Sequence, residues 1–300
     1  MRRNYFILML LVFSSSITFG QSYTFKVLAN KGSNEVKTGG QWQPLRTGAS
    51  LDASDELKVS ENAYLGLVHA SGRTMELKTP GSHKVADLAS KLANKGSSVA
   101  SKYADFVLSK MSADSKKNKL IATGATERKI ELSKAKNNLK VYMPKSVVVF
   151  NDENTVEWTE VEGDQTYVVE FSSMFEDEIL KVETKEPSIQ LDLASNQFAK
   201  ENAVIVQVSL KDDASIKSKK YAIKRLKQTE SDRVENDLKD LMTDVSEQTA
   251  LNKYILAGFY EENNLIVDAL TSYREAMELA PDVESYREAY EEFLIRNKLN

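Results

Sequence analysis

The 300-residue sequence contains no cysteine and only two histidines, His69 and His83. Without cysteine the chain can form no disulfide, no thiolate metal site and no cysteine nucleophile. Two isolated histidines do not favour zinc, because zinc sites gather three or four ligands in one place. From these absences we expect no catalytic residue, no metal and no cofactor, and we predict that the protein is not an enzyme.

The chain also lacks an apolar run of the roughly 20 residues that a membrane-spanning helix needs. Its apolar run at residues 5–13 follows Arg2 and Arg3 and precedes small residues that end at Gly20. This order is typical of a secretory signal peptide, which we predict over residues 1–20. We expect the mature chain to be periplasmic or peripherally attached to the envelope, with no transmembrane span. Secretion to the cell surface is the alternative.

Charge is distributed unevenly along the chain. Residues 84–145 carry 14 Lys or Arg against 5 Asp or Glu, whereas residues 228–300 carry 7 against 17. This asymmetry indicates packing between the two parts, separate partners of opposite charge, or simply solvated surfaces. The basic run at 217–227 suggests peptidoglycan or another anionic polymer as a partner. The interpretation we prefer is a strand edge that lysines protect from pairing. No nucleic-acid partner is expected.

Residues 22–86 carry the pattern of short strands and tight turns. Ala63, Leu65 and Leu67 fall on one face of a strand, and the turn at Ser71 and Gly72 leads into a return strand. The segment 39–81 resembles the FecR-type periplasmic domain, which implies a β-rich module used for contacts in the periplasm. Family members that signal across membranes also have a membrane span, which we do not expect here. The matching positions are Gly48, Leu51, Asp55, Leu57, Ala63, Leu65, Leu67, Ser71, Gly72 and Leu77.

A helical segment is predicted over residues 87–111, followed by a Ser-, Lys- and Asn-rich linker over 112–137. The apolar residues recur at helical spacing, first in Val85, Leu88 and Leu92. We expect these helices to pack on the small β unit, which is too short to bury much core by itself. A second stripe consists of Val99, Tyr103, Phe106, Val107 and Met111.

Residues 138–227 return to the period-2 pattern of strands, most clearly at 204–210. The segment 155–171 resembles the second and third strands of a fibronectin type III domain, with Trp158 before an acidic glycine turn and Tyr167 opening the next strand. That resemblance implies a β-sandwich. We therefore interpret Trp158 and Tyr167 as core residues rather than ligand contacts.

Residues 228–300 are helical in pattern and, from residue 250, resemble one tetratricopeptide (TPR) repeat. Lys253 replaces the usual Trp of that repeat. The resemblance implies two antiparallel helices that small alanines allow to approach closely, with flanking helices completing the stack. We expect Thr249 to cap the first of these helices. The matching positions are Leu256, Ala257, Tyr260, Ala269, Tyr273, Ala276 and Pro281.

Two groups of residues carry side chains of the kind that catalytic or metal-binding sites use. His69 and Ser71 are two residues apart, but no acidic residue has a definable place beside them and no nucleophile motif is present. The acidic clusters at 52–61 and 160–164 offer oxygen ligands without the spacing of a calcium-binding loop. We interpret both clusters as charged turns.

The sequence thus predicts a multi-domain α+β protein. Its parts are a small all-β FecR-like unit with helices, a fibronectin type III-like β-sandwich and a C-terminal TPR-like helical stack. We expect a non-enzymatic scaffold of the envelope, which binds proteins or wall or surface polymer through these modules. A periplasmic hydrolase with a cryptic site and a secreted adhesin are the alternatives.

Overall fold

The computed structural model describes residues 23–92, 99, 101–109, 139–243, 245 and 248–299. The predicted signal peptide at 1–20 and the predicted linker at 112–137 lie outside these residues. Within them the chain is mixed α+β, with fifteen strands and six helices. None of the helices among the described residues is both long and apolar enough to cross a membrane.

The first β unit consists of two four-stranded antiparallel sheets that share one apolar core. The strands are β1 (Phe25–Lys31), β2 (Glu35–Thr38), β3 (Gln41–Pro44), β4 (Ser50–Leu51), β5 (Glu56–Val59), β6 (Tyr64–His69), β7 (Thr74–Leu77) and β8 (Gly81–Lys84). The strand orders are β4-β1-β6-β7 and β3-β2-β5-β8. Leu57 and Leu65, one from each sheet, are fully buried in the shared core.

Strand β6 is buried on both faces. Leu65 and Leu67 face the core between the two sheets, as the alternating pattern predicts, while Tyr64 and Val68 belong to a second core shared with helices. A register shift between Val27 and Ala29 gives the neighbouring strand β1 a bulge. This sheet therefore lies between the other sheet and a helical layer.

The second β unit has a five-stranded sheet, in the order β12-β11-β14-β15-β9, and a two-stranded sheet of β10 and β13. Trp158 and Tyr167 are each 1% exposed, and their rings meet edge to face at 5.5 Å, which confirms both as core residues. The strands are β9 (Ser146–Val149), β10 (Glu153–Glu157), β11 (Tyr167–Ser172), β12 (Glu178–Thr184), β13 (Ser188–Asp192), β14 (Ala203–Leu210) and β15 (Tyr221–Arg225).

The interpretation of the basic run at 217–227 as a strand edge is wrong. Strand β15 lies inside its sheet, antiparallel to β14 on one side and parallel to β9 on the other. The sequence pattern of β15 carries no sign of β9, because that partner precedes it by more than 70 residues. Lys220, which precedes the strand, forms an ion pair with Glu176 at 2.6 Å.

Of the six helices, α1 packs in the first β core through Val85 and Leu88, as expected. Thr249 caps α4 as predicted, since its side chain accepts a hydrogen bond from the backbone N–H of Asn252 at 3.2 Å. Helix α5 ends at Leu279, just before Pro281. The helices are α1 (Val85–Ser90), α2 (residues 101–109), α3 (Gln228–Met242), α4 (Ala250–Glu262), α5 (Ile266–Leu279) and α6 (Glu284–Arg296).

Helices α2 to α6, which we call the central helices, share one apolar core, and three of them contact the β units. Helix α4 contacts β7 and α6 contacts β1, whereas α5 contacts β9 and β10. Helix α2 packs on α4 as well as on the first β unit, and the rings of Tyr103 and Phe259 meet at 5.0 Å. Gly258 permits this approach, because a Cβ there would lie 2.5 Å from Val107 Cγ2. Apolar cores thus cross the boundaries between the predicted modules.

Candidate functional site

The structure places His69 and Ser71 in the turn between β6 and β7. Nδ1 of His69 lies 2.8 Å from Ser71 Oγ and accepts a hydrogen bond from the Ser71 backbone N–H at 3.1 Å. The imidazole packs edge to face on Phe25 at 5.1 Å, and burial lowers the pKa of His69. These contacts close the turn and hold the ring against the first β core.

The acidic clusters also have local roles. Asp55 is 4% exposed and accepts a hydrogen bond from the backbone N–H of Asp52 at 2.8 Å. Asp164 forms an exposed ion pair with Lys185 at 2.9 Å. Within the described ranges, no three His, Asp or Glu side chains are grouped as a metal site would need.

Buried polar contacts join the central helices to the first β unit, and we call this set the first joint. Glu76 on β7 accepts hydrogen bonds from the hydroxyl of Tyr64 at 2.6 Å and from the backbone N–H of Leu251 at 3.1 Å. Because Tyr64 has a single hydroxyl hydrogen, the Tyr286 hydroxyl at 2.7 Å must donate to Tyr64. Burial opposes ionisation of Glu76, but hydrogen bonds from Lys78 and Tyr64 hold its pKa below the ordinary value.

A second joint connects the central helices to the second β unit. Asp268, in the first turn of α5, is fully buried and accepts hydrogen bonds from the backbone N–H groups of Asn151 at 2.7 Å and Phe150 at 3.1 Å. Burial raises the pKa of Asp268 to about 6. Glu157 on β10 accepts from the Tyr290 hydroxyl at 2.7 Å and pairs with Arg274 at 3.3 Å, and burial raises the pKa of Glu157.

A groove with a volume of ≈ 490 Å³ opens beside the second joint, between α3, α4, α5 and the turn after β9. Its polar wall contains an ion pair between Lys253 and Glu275 at 2.7 Å. Leu238, Met242 and Leu256 add apolar side chains to the lining, so the groove offers both polar and apolar surface. The lining residues are Asn151, Asp152, Glu153, Leu238, Met242, Gln248, Lys253, Leu256, Tyr260, Thr271, Ser272 and Glu275.

The hairpin between β11 and β12, which we call the hairpin tip (residues 173–177), presents apolar side chains to solvent. Phe175 is 89% exposed and Met174 is 53% exposed. The backbone beneath them is held in place, because Ser173 Oγ accepts hydrogen bonds from the N–H groups of Phe175 at 3.1 Å and Asp177 at 3.2 Å. Glu176 has a φ of 69°, which is uncommon for a residue other than glycine. The exposure of Phe175 is thus built into an ordered turn.

Neither the groove nor the hairpin tip was predicted from the sequence. The groove could not be read from the chain, because its lining comes from four segments that only the fold brings together. The hairpin tip did carry a signal, since Met174 and Phe175 occupy a turn where polar residues are usual.

No protein-family model matches the chain, and no curated protein is significantly similar to it. The fold therefore defines the protein only as a mixed α+β protein in which helices join two β units. The resemblances over 22–86, 138–227 and 228–300 remain predictions.

Proposed function

We propose that the protein is a non-enzymatic interaction scaffold of the cell envelope and that its hairpin tip binds a partner protein. The observation that carries the proposal is the 89% exposure of Phe175 on a hydrogen-bonded turn. Aromatic residues, Phe among them, are enriched at the cores of protein interfaces relative to the rest of the surface. A monomeric protein gains no stability from leaving such a side chain in water.

The order of the turn matters for binding. A loop that must be fixed on binding loses conformational freedom, which weakens the complex, whereas a turn already fixed by its own hydrogen bonds does not. The hydrogen bonds that Ser173 Oγ accepts from the N–H groups of Phe175 and Asp177 supply that order. Asp177 and Glu178 add negative charge beside Phe175. The partner surface that fits is an apolar pocket with a cationic rim.

The three module resemblances support the same function. A five-stranded sheet facing a two-stranded sheet is compatible with the fibronectin type III-like sandwich that we propose for 138–227. Ala269 and Ala276 are fully buried in the helical core, as close packing in a TPR-like helix pair requires. We propose the FecR-like module for 22–86 because of its sequence pattern. We propose the periplasmic location because of the predicted signal peptide.

The scaffold proposal is tested by cross-linking in cells that produce the tagged full chain, followed by purification and identification of the partners. Replacing Phe175 by Ser should reduce recovery of a specific envelope protein by at least about tenfold, the effect of losing about 1.4 kcal/mol. The matched control is Leu279→Ser, which removes an apolar side chain that is 51% exposed at the end of α5. It should leave recovery unchanged.

Two outcomes would contradict the proposal. One is an identical set of partners for wild type and the Phe175→Ser variant. The other is hydrolysis of peptidoglycan or peptides by the purified chain, which would support the hydrolase alternative. Fractionation tests the location separately, because recovery from the cytosol at full precursor length would contradict export.

A further inference from the structure

The outer face of the sheet β3-β2-β5-β8 is open to solvent and carries an ordered array of charges around one aromatic ring. Strand register sets Trp42 opposite Lys37, and Lys37 opposite Glu56. The adjacent row sets Glu35 opposite Lys58. Alternate residues point to the same face of a strand, so these five side chains share one surface, which we call the Trp42 face.

Trp42 is the only large aromatic side chain of that surface and is 41% exposed. It lies on an edge strand, all four residues of which are exposed. The ammonium groups of Lys37 and Lys58 lie 5.6 Å and 5.9 Å from the centre of its ring. Beside Trp42 the turn at Gly39 and Gly40 is open, because a Cβ at either position would meet no described atom within 4 Å.

The charges on this face are close to balanced. Lys37 pairs with Glu56 at 3.9 Å, and Lys58 pairs with Glu35 at 3.3 Å. Ammonium groups donate hydrogen bonds and carboxylates accept them, so the face offers both kinds of partner at short intervals. A polyanion would meet carboxylates as well as ammonium groups. The core of a protein interface is depleted in Lys and Glu, which this face has in excess.

We propose that the Trp42 face binds a glycan chain. One sugar ring stacks its C–H groups on the Trp42 ring, and the hydroxyls of adjacent sugars exchange hydrogen bonds with Lys37, Lys58, Glu35 and Glu56. Hydroxyl groups both donate and accept, which suits an alternating array of donors and acceptors. The inference rests on the proposed scaffold function and makes specific the polymer binding expected from the sequence, which it assigns to the first β unit rather than to the basic run at 217–227.

Intrinsic fluorescence offers a direct test, because the chain has two tryptophans and Trp158 is buried in the other β unit. Titration of the full chain with a soluble chitin oligosaccharide should shift Trp42 emission to the blue and protect it from acrylamide quenching. Co-sedimentation with purified peptidoglycan should fall at least about tenfold in Trp42→Ala. It should be largely retained in Trp42→Phe, which keeps an aromatic face. Leu279→Ser is the control and should bind as wild type.

Salt separates stacking from charge attraction. Sugar binding should persist at about 0.5 M NaCl, where the screening length is on the order of 4 Å. Equal binding of polyglutamate, or loss of all binding in that salt, would overturn the glycan proposal. Unchanged Trp42 fluorescence with the chitin oligosaccharide, together with unchanged peptidoglycan co-sedimentation in Trp42→Ala, would also overturn it. Concentration-dependent dimerisation that Trp42→Ala abolishes would do the same. Failure of the Phe175 experiment leaves these measurements unaffected, so the two proposals can fail independently.

Discussion

Both joints pair a buried carboxylate with backbone N–H groups, but the helices and the β unit exchange these roles between the two joints. In the first joint the β unit supplies the carboxylate, Glu76, and the helix supplies the backbone N–H, Leu251. In the second joint the helix supplies the carboxylate, Asp268, and the β unit supplies the N–H groups. Glu76 also forms an ion pair with Lys78 at 2.8 Å. The contacts of Asp268 described above come from neutral N–H groups. The ionisation of a buried carboxylate thus depends on burial and on its partners together, since the pKa of Glu157 is raised although Arg274 lies 3.3 Å away.

The largest effect is expected at the first joint. Tyr286 is fully buried, and its ring meets those of Tyr64 at 6.0 Å and Tyr254 at 5.2 Å. Tyr286→Ala should lower the free energy of unfolding by about 3–5 kcal/mol, because it leaves a cavity and removes the donor to Tyr64. Denaturant unfolding measures this change. A loss below about 1 kcal/mol would show that the first joint does not hold the helices in place.

The second joint should respond less strongly to loss of its carboxylate. Asp268→Ala leaves the N–H groups of Phe150 and Asn151 buried without their acceptor, at a cost of about 2–3 kcal/mol in unfolding free energy. Asp268→Asn is the matched control, since its amide oxygen still accepts and its cost should be smaller. Equal losses in both variants would mean that the charge of Asp268, not its acceptor oxygens, stabilises the joint.

The opposite pKa shifts predict opposite responses to acid. Asp268 has a folded pKa of about 6 against 3.8 in its unfolded reference, so the folded chain binds more protons in this window and gains stability as pH falls. Glu76 has a lowered pKa, so its contribution is present above pH 4.5 and is lost below it.

Between pH 7 and 5 Asp268 should therefore raise the unfolding free energy by about 1 kcal/mol, while His69, whose pKa is lowered, opposes part of this rise. Unfolding curves measured at several pH values give this dependence directly. In Asp268→Asn this contribution of about 1 kcal/mol should be lost, which leaves the net effect of the other shifted groups, among them Glu157 with a raised pKa and His69 with a lowered one. An unchanged rise in that variant would assign the pH dependence to other groups.

The smallest effect is expected at an exposed ion pair outside both joints. Asp164 and Lys185 are 81% and 66% exposed, and such pairs contribute little because water and salt screen them. Asp164→Asn should leave the denaturation midpoint unchanged within error. A clear shift would show that exposed pairs contribute to stability as the buried joint contacts do.

Local patterns predicted local structure well. The alternation at 204–210, the cap at Thr249 and the burial of Trp158 are all present. What the sequence could not show depends on distant partners. Tyr64 and Val68 lie on the face of β6 opposite Leu65, in a core to which helices distant in the sequence contribute. Two further features could not be predicted because they also depend on distant segments. They are the parallel pairing of β15 with β9 and the assembly of the groove.

The central helices should hold both β units together so that the described fold unfolds as one cooperative body. Trp42 reports on the first unit and Trp158 on the second, so Trp158→Phe and Trp42→Phe isolate the two signals. In each variant the fluorescence transition in denaturant should coincide with the far-ultraviolet circular dichroism transition of the same protein. A Trp42 transition at a clearly different denaturant concentration from that of Trp158 and the helices would contradict cooperative unfolding of the two β units.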